Sequence, residues 1–448
     1  MMSIVNRKKI AISAILAGSF WFSQIGFAAP MELTLDKAID MALASEPRVF
    51  IADSSISTAK ANRRIARAGG GVTVDYDYTF KKTGQTKPSI ADSIENSNSN
   101  LLTAKLPIYT GGAVSGNIDK SEKAMLASEY SYDKVLQEVL LDTTNNYYKV
   151  LQARNTVKLT KESVERLQAH LTNVQAQFSV GTVAKVDVLR SEVELADAEQ
   201  ELIKAKNDYD LAVANLNNII GNPLDTEISL QEELEYKPYT ESLENCLAYA
   251  LEHRPDIHAA KLNVDAANDA VKVASADYLP KVYLNATNSW TGENFPGNDK
   301  STWMVGASMN LNVFDSGITS GNVNKAKAEL FKQQELERQL VLTVNLAVKS
   351  AYLNLREAEK RIGTAKVAVV KAEEDYKIAQ VRYSAGVGTN IDVMDSQVAL
   401  TKAKNNYIQA LYSYNTSKAS LDEAIGLATG KEIAKDPIKK QQKAIAKG

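Results

Sequence analysis

The residues whose types could do chemistry are few. The histidines are His170, His253 and His258. His253 and His258 stand five apart and flank Pro255, whereas a helical metal pair needs i and i+4. No Gly-rich phosphate loop and no nucleophile elbow occurs in the 448 residues. The single cysteine, Cys246, lies among Leu243, Leu247 and Ala250 and reads as a small buried apolar residue, so no intrachain disulfide can form. The sequence thus predicts no enzyme, no metal site and no cofactor. A formal net charge of -2 gives no basic excess for a nucleic-acid partner. What remains is carboxylates. Asp392 and Asp395 are three apart and share one face if helical. Thr389-x-x-Asp392 also fits a capping box, and acids suit a first helical turn.

These acids sit in the second of two similar halves. The segment "YTGGAVSGN" at 109–117 matches "FDSGITSGN" at 314–322, an offset of 205. The same offset relates Tyr147 to Tyr352, Gly181 to Gly386, Asp187 to Asp392 and Gly221 to Gly426. Earlier the offset is 208, relating Leu35 to Leu243 and Pro47 to Pro255. Two repeats are too few for a solenoid, so one duplicated unit is expected, 29–221 and 243–426, with 222–242 as linker. Each unit reads helix, strand, strand, long helix, helix. The helices are expected at 35–68, 113–178, 187–220, 243–278, 318–383 and 390–426, and the strands at 72–80, 100–109, 281–290 and 302–314. Gly181 and Gly386 permit sharp reversals between helices.

The long helix of the first unit carries a heptad seam from Leu136 through Leu140, Tyr147 and Val150 to Val174 and Phe178, interrupted at Arg154 and Thr160. A repeat held so long implies left-handed supercoiling. A 66-residue helix spans about 100 Å and the shorter ones roughly 50 Å. Two short helices end to end therefore match one long helix, and the linker and the tail 427–448 fall at the waist.

At the N-terminus, Arg7, Lys8 and Lys9 precede an apolar run from Ile10 to Phe22 and the small-x-Ala site Gly26-Phe27-Ala28. Residues 1–28 are expected to be a signal peptide. No cysteine follows that site to take a lipid, and no later apolar run reaches 18 residues. The lysine-rich tail is expected to lack a packed structure.

The strands alternate. Val72, Val74, Tyr76, Tyr78 and Phe80 face one way, and Thr73, Asp75, Asp77 and Thr79 the other. A soluble sheet on a core would alternate equally well, but no spare amphipathic helix is present to cover it. The strands are about 9–13 residues long, near the 9–11 that cross a bilayer as tilted strands. Lipid tolerates only closed barrels. Four strands cannot close, two chains give a filled eight-stranded barrel, and three chains give twelve strands with a lumen. A homotrimer is expected, with the aromatic and branched face toward outer-membrane lipid and Thr73, Asp75, Asp77 and Thr79 toward water.

The chain resembles the TolC family of outer-membrane efflux and secretion channels. The resemblance is carried by "HRPDIHAAKLNVDAANDAVKVASADYLPKVYL" at 253–284, "LPIYTGG" at 106–112, "FSVGTVAKVDVL" at 178–189 and "YSAGVGTNIDVMDSQ" at 383–397. It implies a mixed α and β fold: a trimeric channel-tunnel with a 12-stranded β-barrel, four strands per protomer, over a long periplasmic α-helical barrel. It implies a passive export duct serving a periplasmic adaptor and an inner-membrane pump, in efflux or type I secretion. It places Asp392 and Asp395 in an acidic ring at the periplasmic entrance, and Asp187 and Tyr383 among the contacts that close the tip. The turns with Gly181, Thr182, Gly386 and Gly388 would meet the adaptor. One position departs from the pattern: members carry an arginine two residues after the turn glycine, and this chain has Gly388. Closure is therefore expected to be weaker or differently built. The competing expectations are a non-conducting trimeric coiled coil bridging the envelope and a soluble periplasmic binding module.

Overall fold

The computed structural model describes residues 31–87 and 90–427. The expected signal peptide and nearly all of the lysine-rich tail lie outside the described residues. The first half comprises β1 (Met31–Leu33), α1 (Leu35–Ser45), α2 (Pro47–Ala68), β2 (Thr73–Lys87), β3 (Ile90–Tyr109), α3 (Ala113–Ser179) and α4 (Lys185–Ile220). The second comprises β4 (Ile228–Leu230), α5 (Leu243–His253), α6 (Pro255–Ser275), β5 (Lys281–Gly292), β6 (Lys300–Asn310), α7 (Ile318–Ser384) and α8 (Asn390–Ala424).

The helices expected over 35–68 and 243–278 are each broken. Glu46 (φ −68, ψ 121) and Arg254 (φ −67, ψ 126) are extended, and each precedes a proline that begins the next helix. A proline ring bars the α conformation from the residue before it and suits a first helical position. Two strands are also longer than expected. Pairing of β2 with β3 continues past Phe80 to Lys87 and Ile90. The β2 part of the extension, KKTGQTK at 81–87, has no apolar residue to alternate, so no period marks it. In the other direction β6 stops at Asn310 instead of 314. There Asp315 starts a helix by accepting bonds from the backbone N–H of Gly317 (3.0 Å) and Thr319 (2.8 Å).

One antiparallel sheet runs in the order β2-β3-β5-β6. Its register aligns Val74, Ala104, Ala286 and Val305 in one row, and Tyr76, Leu102, Asn288 and Trp303 in the next. The opposite face carries Thr73, Lys105, Asn285 and Gly306, then Asp75, Thr103, Thr287 and Met304. The sheet is thus apolar on one side and polar on the other, and β2 and β6 are left as open edges.

Helices α3 and α7 have 67 residues each, about 100 Å at about 1.5 Å per residue. The expected seam of α3 is buried at Leu136, Leu140, Tyr147, Val150, Leu167, Leu171 and Val174. Corresponding residues do corresponding work in the two halves. Tyr147 donates to the carbonyl of Leu33, just before α1, and Tyr352 to that of Glu241, just before α5. Thr34 and Ser242 cap those helices.

The linker wraps the waist. Its strand β4 pairs in parallel with β1. Beyond it, Arg154 of α3 donates to the carbonyls of Leu230 (2.9 Å) and Glu232 (3.0 Å). Arg356 of α7 holds the carbonyl of Tyr239 (3.0 Å), and Asn415 of α8 that of Glu235 (3.0 Å). Arg154 interrupts the seam because its guanidinium binds this belt. Among the described residues no helix is long and apolar enough to cross a membrane.

Candidate functional site

The two helical hairpins, α3–α4 and α7–α8, end together. Gly181 (φ +78) and Gly386 (φ +73) take the left-handed conformation at their turns. A Cβ at either would meet nothing within 4 Å, so backbone conformation rather than crowding demands glycine. Thr182 folds back, its N–H (3.0 Å) and its hydroxyl (2.9 Å) both donating to the Gln177 carbonyl. Gly388 has a different reason to be glycine. Its N–H donates to the Arg382 carbonyl at 3.0 Å, and a Cβ there would stand 3.0 Å from Arg382 Cβ and Tyr383 N. A side chain at 388 would have to push the turn open.

Asp392 completes the expected capping box. Its carboxylate accepts from the Thr389 N–H at 3.0 Å, while its own N–H donates to the Thr389 hydroxyl at 3.2 Å. The Thr389 backbone N–H first, then the Thr389 side chain and the Arg382 charge, hold the Asp392 carboxyl below the usual range. Asp395, one turn on, is exposed. Its charge reaches Glu194 of α4, whose carboxyl is raised by burial first and then by Asp197 and Asp395. Acids of α4 and α8 therefore share one field near the tip, which spacing within α8 alone did not reveal.

Asp187 and Tyr383 are brought near one another without being joined directly. Burial, then the charge of Asp187, raises the Tyr383 phenol. The Tyr383 hydroxyl donates instead to Gln177 Oε1 at 2.8 Å, and its ring lies 5.3 Å from that of His170. Asp187 contributes its backbone carbonyl, which accepts from Asn390 Nδ2 at 3.0 Å. Asn390 is the hub. Its Oδ1 lies 2.6 Å from His170 Nε2, and its Nδ2 also donates to Ser191 Oγ at 3.2 Å. His170, Ser191 and Asn390 are all buried. One amide thus ties the start of α8 to both α3 and α4. A second tie lies higher, where Arg166 Nε donates to Gln397 Oε1 (3.1 Å) and Gln397 Nε2 to Ser163 Oγ (3.2 Å).

Truncating Asn390 leaves the buried His170 ring nitrogen without this partner, a cost of about 2 kcal/mol. Asn390→Ala should therefore speed limited proteolysis at the α7–α8 turn about 30-fold relative to the parent. An unchanged cleavage rate would deny the amide this role.

The other histidines are engaged elsewhere. His253 Nδ1 meets the Tyr249 carbonyl at 3.1 Å, and His258 Nε2 the Glu252 carbonyl at 2.8 Å. Cys246 is buried beside the Tyr239 hydroxyl at 3.3 Å.

The family model described as outer membrane efflux protein matches residues 38–222 and 247–427. The chain is 24% identical over 399 residues to the outer membrane protein TolC of Salmonella enteritidis, covering 87% of this chain and 80% of that protein. It is 23% identical over 397 residues to the cobalt-zinc-cadmium resistance protein CzcC of Cupriavidus metallidurans, covering 88% and 90%. In fold it is similar to the Campylobacter jejuni CmeC outer membrane channel, with a TM-score of 0.80, 21% identity, and 91% and 88% of the two chains covered.

Proposed function

Because the chain belongs to the outer membrane efflux protein family, we infer that it is a passive export duct of the outer membrane, and that three copies build it. The observation that carries the assembly is the sheet. It is two-faced and open at both edges, β2 and β6, and among the described residues no helix or strand packs on its apolar side, where Val74, Tyr76, Trp303 and Val305 are exposed. Lipid can cover that side only if the edges close. Three sheets joined β6 to β2 give twelve strands, with the polar rows of Thr73 and Asp75 around a lumen.

The helices support the same assembly. Val186, Leu189 and Val193 of α4 and Leu342, Leu346 and Leu353 of α7 lie exposed at helical spacing on a single chain. Neighbouring copies would cover both stripes. The two halves, with their paired tyrosines and caps, read as one duplicated unit, 29–221 and 243–426, joined by the belt 222–242. The helical barrel continues the lumen into the periplasm.

At its tip, Asp392 and Asp395 would line the constriction, with Asp392 capping α8 as well. Tyr383 and Asp187 take part in closure through Gln177 and Asn390 rather than through each other. The exposed turns with Gly181, Thr182, Gly386 and Gly388 are the surface for a periplasmic adaptor, which links the duct to an inner-membrane transporter in efflux or type I secretion. No chemistry is assigned to the chain, and the pump selects the cargo.

The purified protein in detergent should have the mass of three chains, migrate differently in denaturing gels with and without heating, and open discrete conductances in planar bilayers. A trimer that never conducts would favour a coiled-coil bridge across the envelope, and a detergent-free monomer would refute the barrel.

A further inference from the structure

The sheet's apolar side also holds polar residues, Asn288, Ser301, Asn98 and Asn100 among them, and the last two are covered. Asn98 and Asn100 of β3 share it with Phe80, Tyr78 and Trp290, yet both are buried. Each amide is used at both ends. Asn100 Oδ1 accepts from the Tyr76 hydroxyl (2.6 Å) and Asn98 Oδ1 from the Tyr78 hydroxyl (2.7 Å). Asn98 Nδ2 donates to the Glu293 carbonyl (3.0 Å), and Asn100 Nδ2 to the Pro296 carbonyl (2.7 Å). The β5–β6 loop, 293–299, is therefore folded down over the outer side of the sheet. It lies so close that a Cβ on Gly297 would stand 2.6 Å from Asn98 Cβ. Phe295 meets Tyr78 edge-on at 6.0 Å but remains 78% exposed.

The height of this loop is informative. From Val282 to Gly292, which pairs with Asn98, β5 climbs ten residues. That is about 33 Å along the strand, or about 25 Å along the membrane normal at a tilt of about 40°, the height of an outer-membrane apolar band. Phe295 thus stands at the upper rim of that band. Its exposed ring lies over Tyr78 of β2 and continues the exposed apolar face of Tyr76, 61% exposed one row lower on the same strand. One row above, Lys82 shares the face through its pairing with Asn96.

We propose that the 293–299 loop is an interfacial anchor: held by Asn98 and Asn100 against the barrel's outer wall, it inserts Phe295 into the outer leaflet, at the glycerol and upper acyl level. The partner is lipid, because the ring extends the apolar face already assigned to lipid, and Lys82 lies where anionic head groups would sit. This rests on the barrel reading. The amides explain why the loop folds outward: only a side chain that both accepts and donates can bridge a tyrosine hydroxyl and a loop carbonyl.

The test uses the full chain with Cys246→Ser and Phe295→Cys, labelled with an environment-sensitive fluorophore and reconstituted into phosphatidylcholine vesicles. Lipids brominated near the glycerol should quench the label at least about twofold more than lipids brominated near the chain ends, as befits a ring about 5–10 Å into the interface. Asn98→Leu with Asn100→Leu should release the loop and expose the label to aqueous iodide. Trp303, read alone in Trp290→Phe of the chain without residues 1–28 and their Trp21, reports the barrel itself. Quenching of Trp303 by brominated lipid with full iodide access at 295 overturns the anchor alone. A Trp303 that no brominated lipid reaches overturns the barrel and the anchor with it.

Discussion

Replacing Asp392 and Asp395 together by alanine should raise single-channel conductance and lower the preference for cations over anions by about fivefold to tenfold at low salt. Threefold symmetry would bring every copy of both carboxylates to one axis. There they act in two separable ways, as bulk that narrows the pore and as charge that concentrates cations. Alanine removes both. It also removes the acceptor that the Thr389 N–H uses, so the α8 start loosens and the tip widens further. The variant Asp392→Asn with Asp395→Asn removes the charge while keeping the volume and an acceptor for the cap. It should lose the selectivity and keep most of the parent's conductance. Glu194 gives an internal check. Its carboxyl is raised in part by the Asp395 charge, so it should ionise at lower pH once Asp395 is neutral. Conductance and selectivity unchanged in both variants would remove these two residues from the constriction.

What could be read from the sequence divides along the range of the forces involved. Alternation within a strand is local, so the two faces of the sheet were legible from Val74 and Thr73 onward, and the register agrees with them. The Thr389–Asp392 box is three residues long and was equally plain. The proline breaks at Glu46 and Arg254 were legible in principle, since a residue before proline leaves the α region whatever its surroundings. The extended hairpin beyond Phe80 was hidden because KKTGQTK at 81–87 offers no apolar alternation to read. The tip network was hidden for another reason. His170 and Asn390 are 220 residues apart, and each alone is an ordinary polar residue in a helix. Only helix docking makes them a pair. Arg154 did leave a trace, as a charge where the heptad wanted an apolar side chain, and the belt it grips is the explanation.

Asp422→Asn should stabilise the protein at pH 7.5 by up to about 3 kcal/mol, with the gain vanishing toward pH 4. Asp422 lies in the last turn of α8, 8% exposed, where the helix dipole opposes a negative charge. Burial raises its carboxyl to about 6, with Lys418 pulling the other way. The sign follows from linkage. A carboxyl raised in the folded state binds its proton more tightly there than in the unfolded chain. The stability it contributes is complete below the unfolded value near 4 and is lost as pH climbs through about 6. Asparagine stays neutral throughout, so the two melting curves should coincide in acid and separate between pH 4 and pH 6. The first half already shows how an amide serves in this place. Asn217, related to Asp422 by the offset of 205, is fully buried, and its Nδ2 donates to the carbonyls of Leu224 (3.2 Å) and Thr226 (2.8 Å). The backbone around both residues is the same, with Asn222 N–H on the Asn217 carbonyl and Leu427 N–H on that of Asp422. Circular dichroism melts of the detergent-solubilised protein at several pH values would decide it. A variant no more stable than the parent at pH 7.5, or a difference that widens in acid, would mean that the Asp422 charge is satisfied in the folded protein and that burial does not govern this carboxyl.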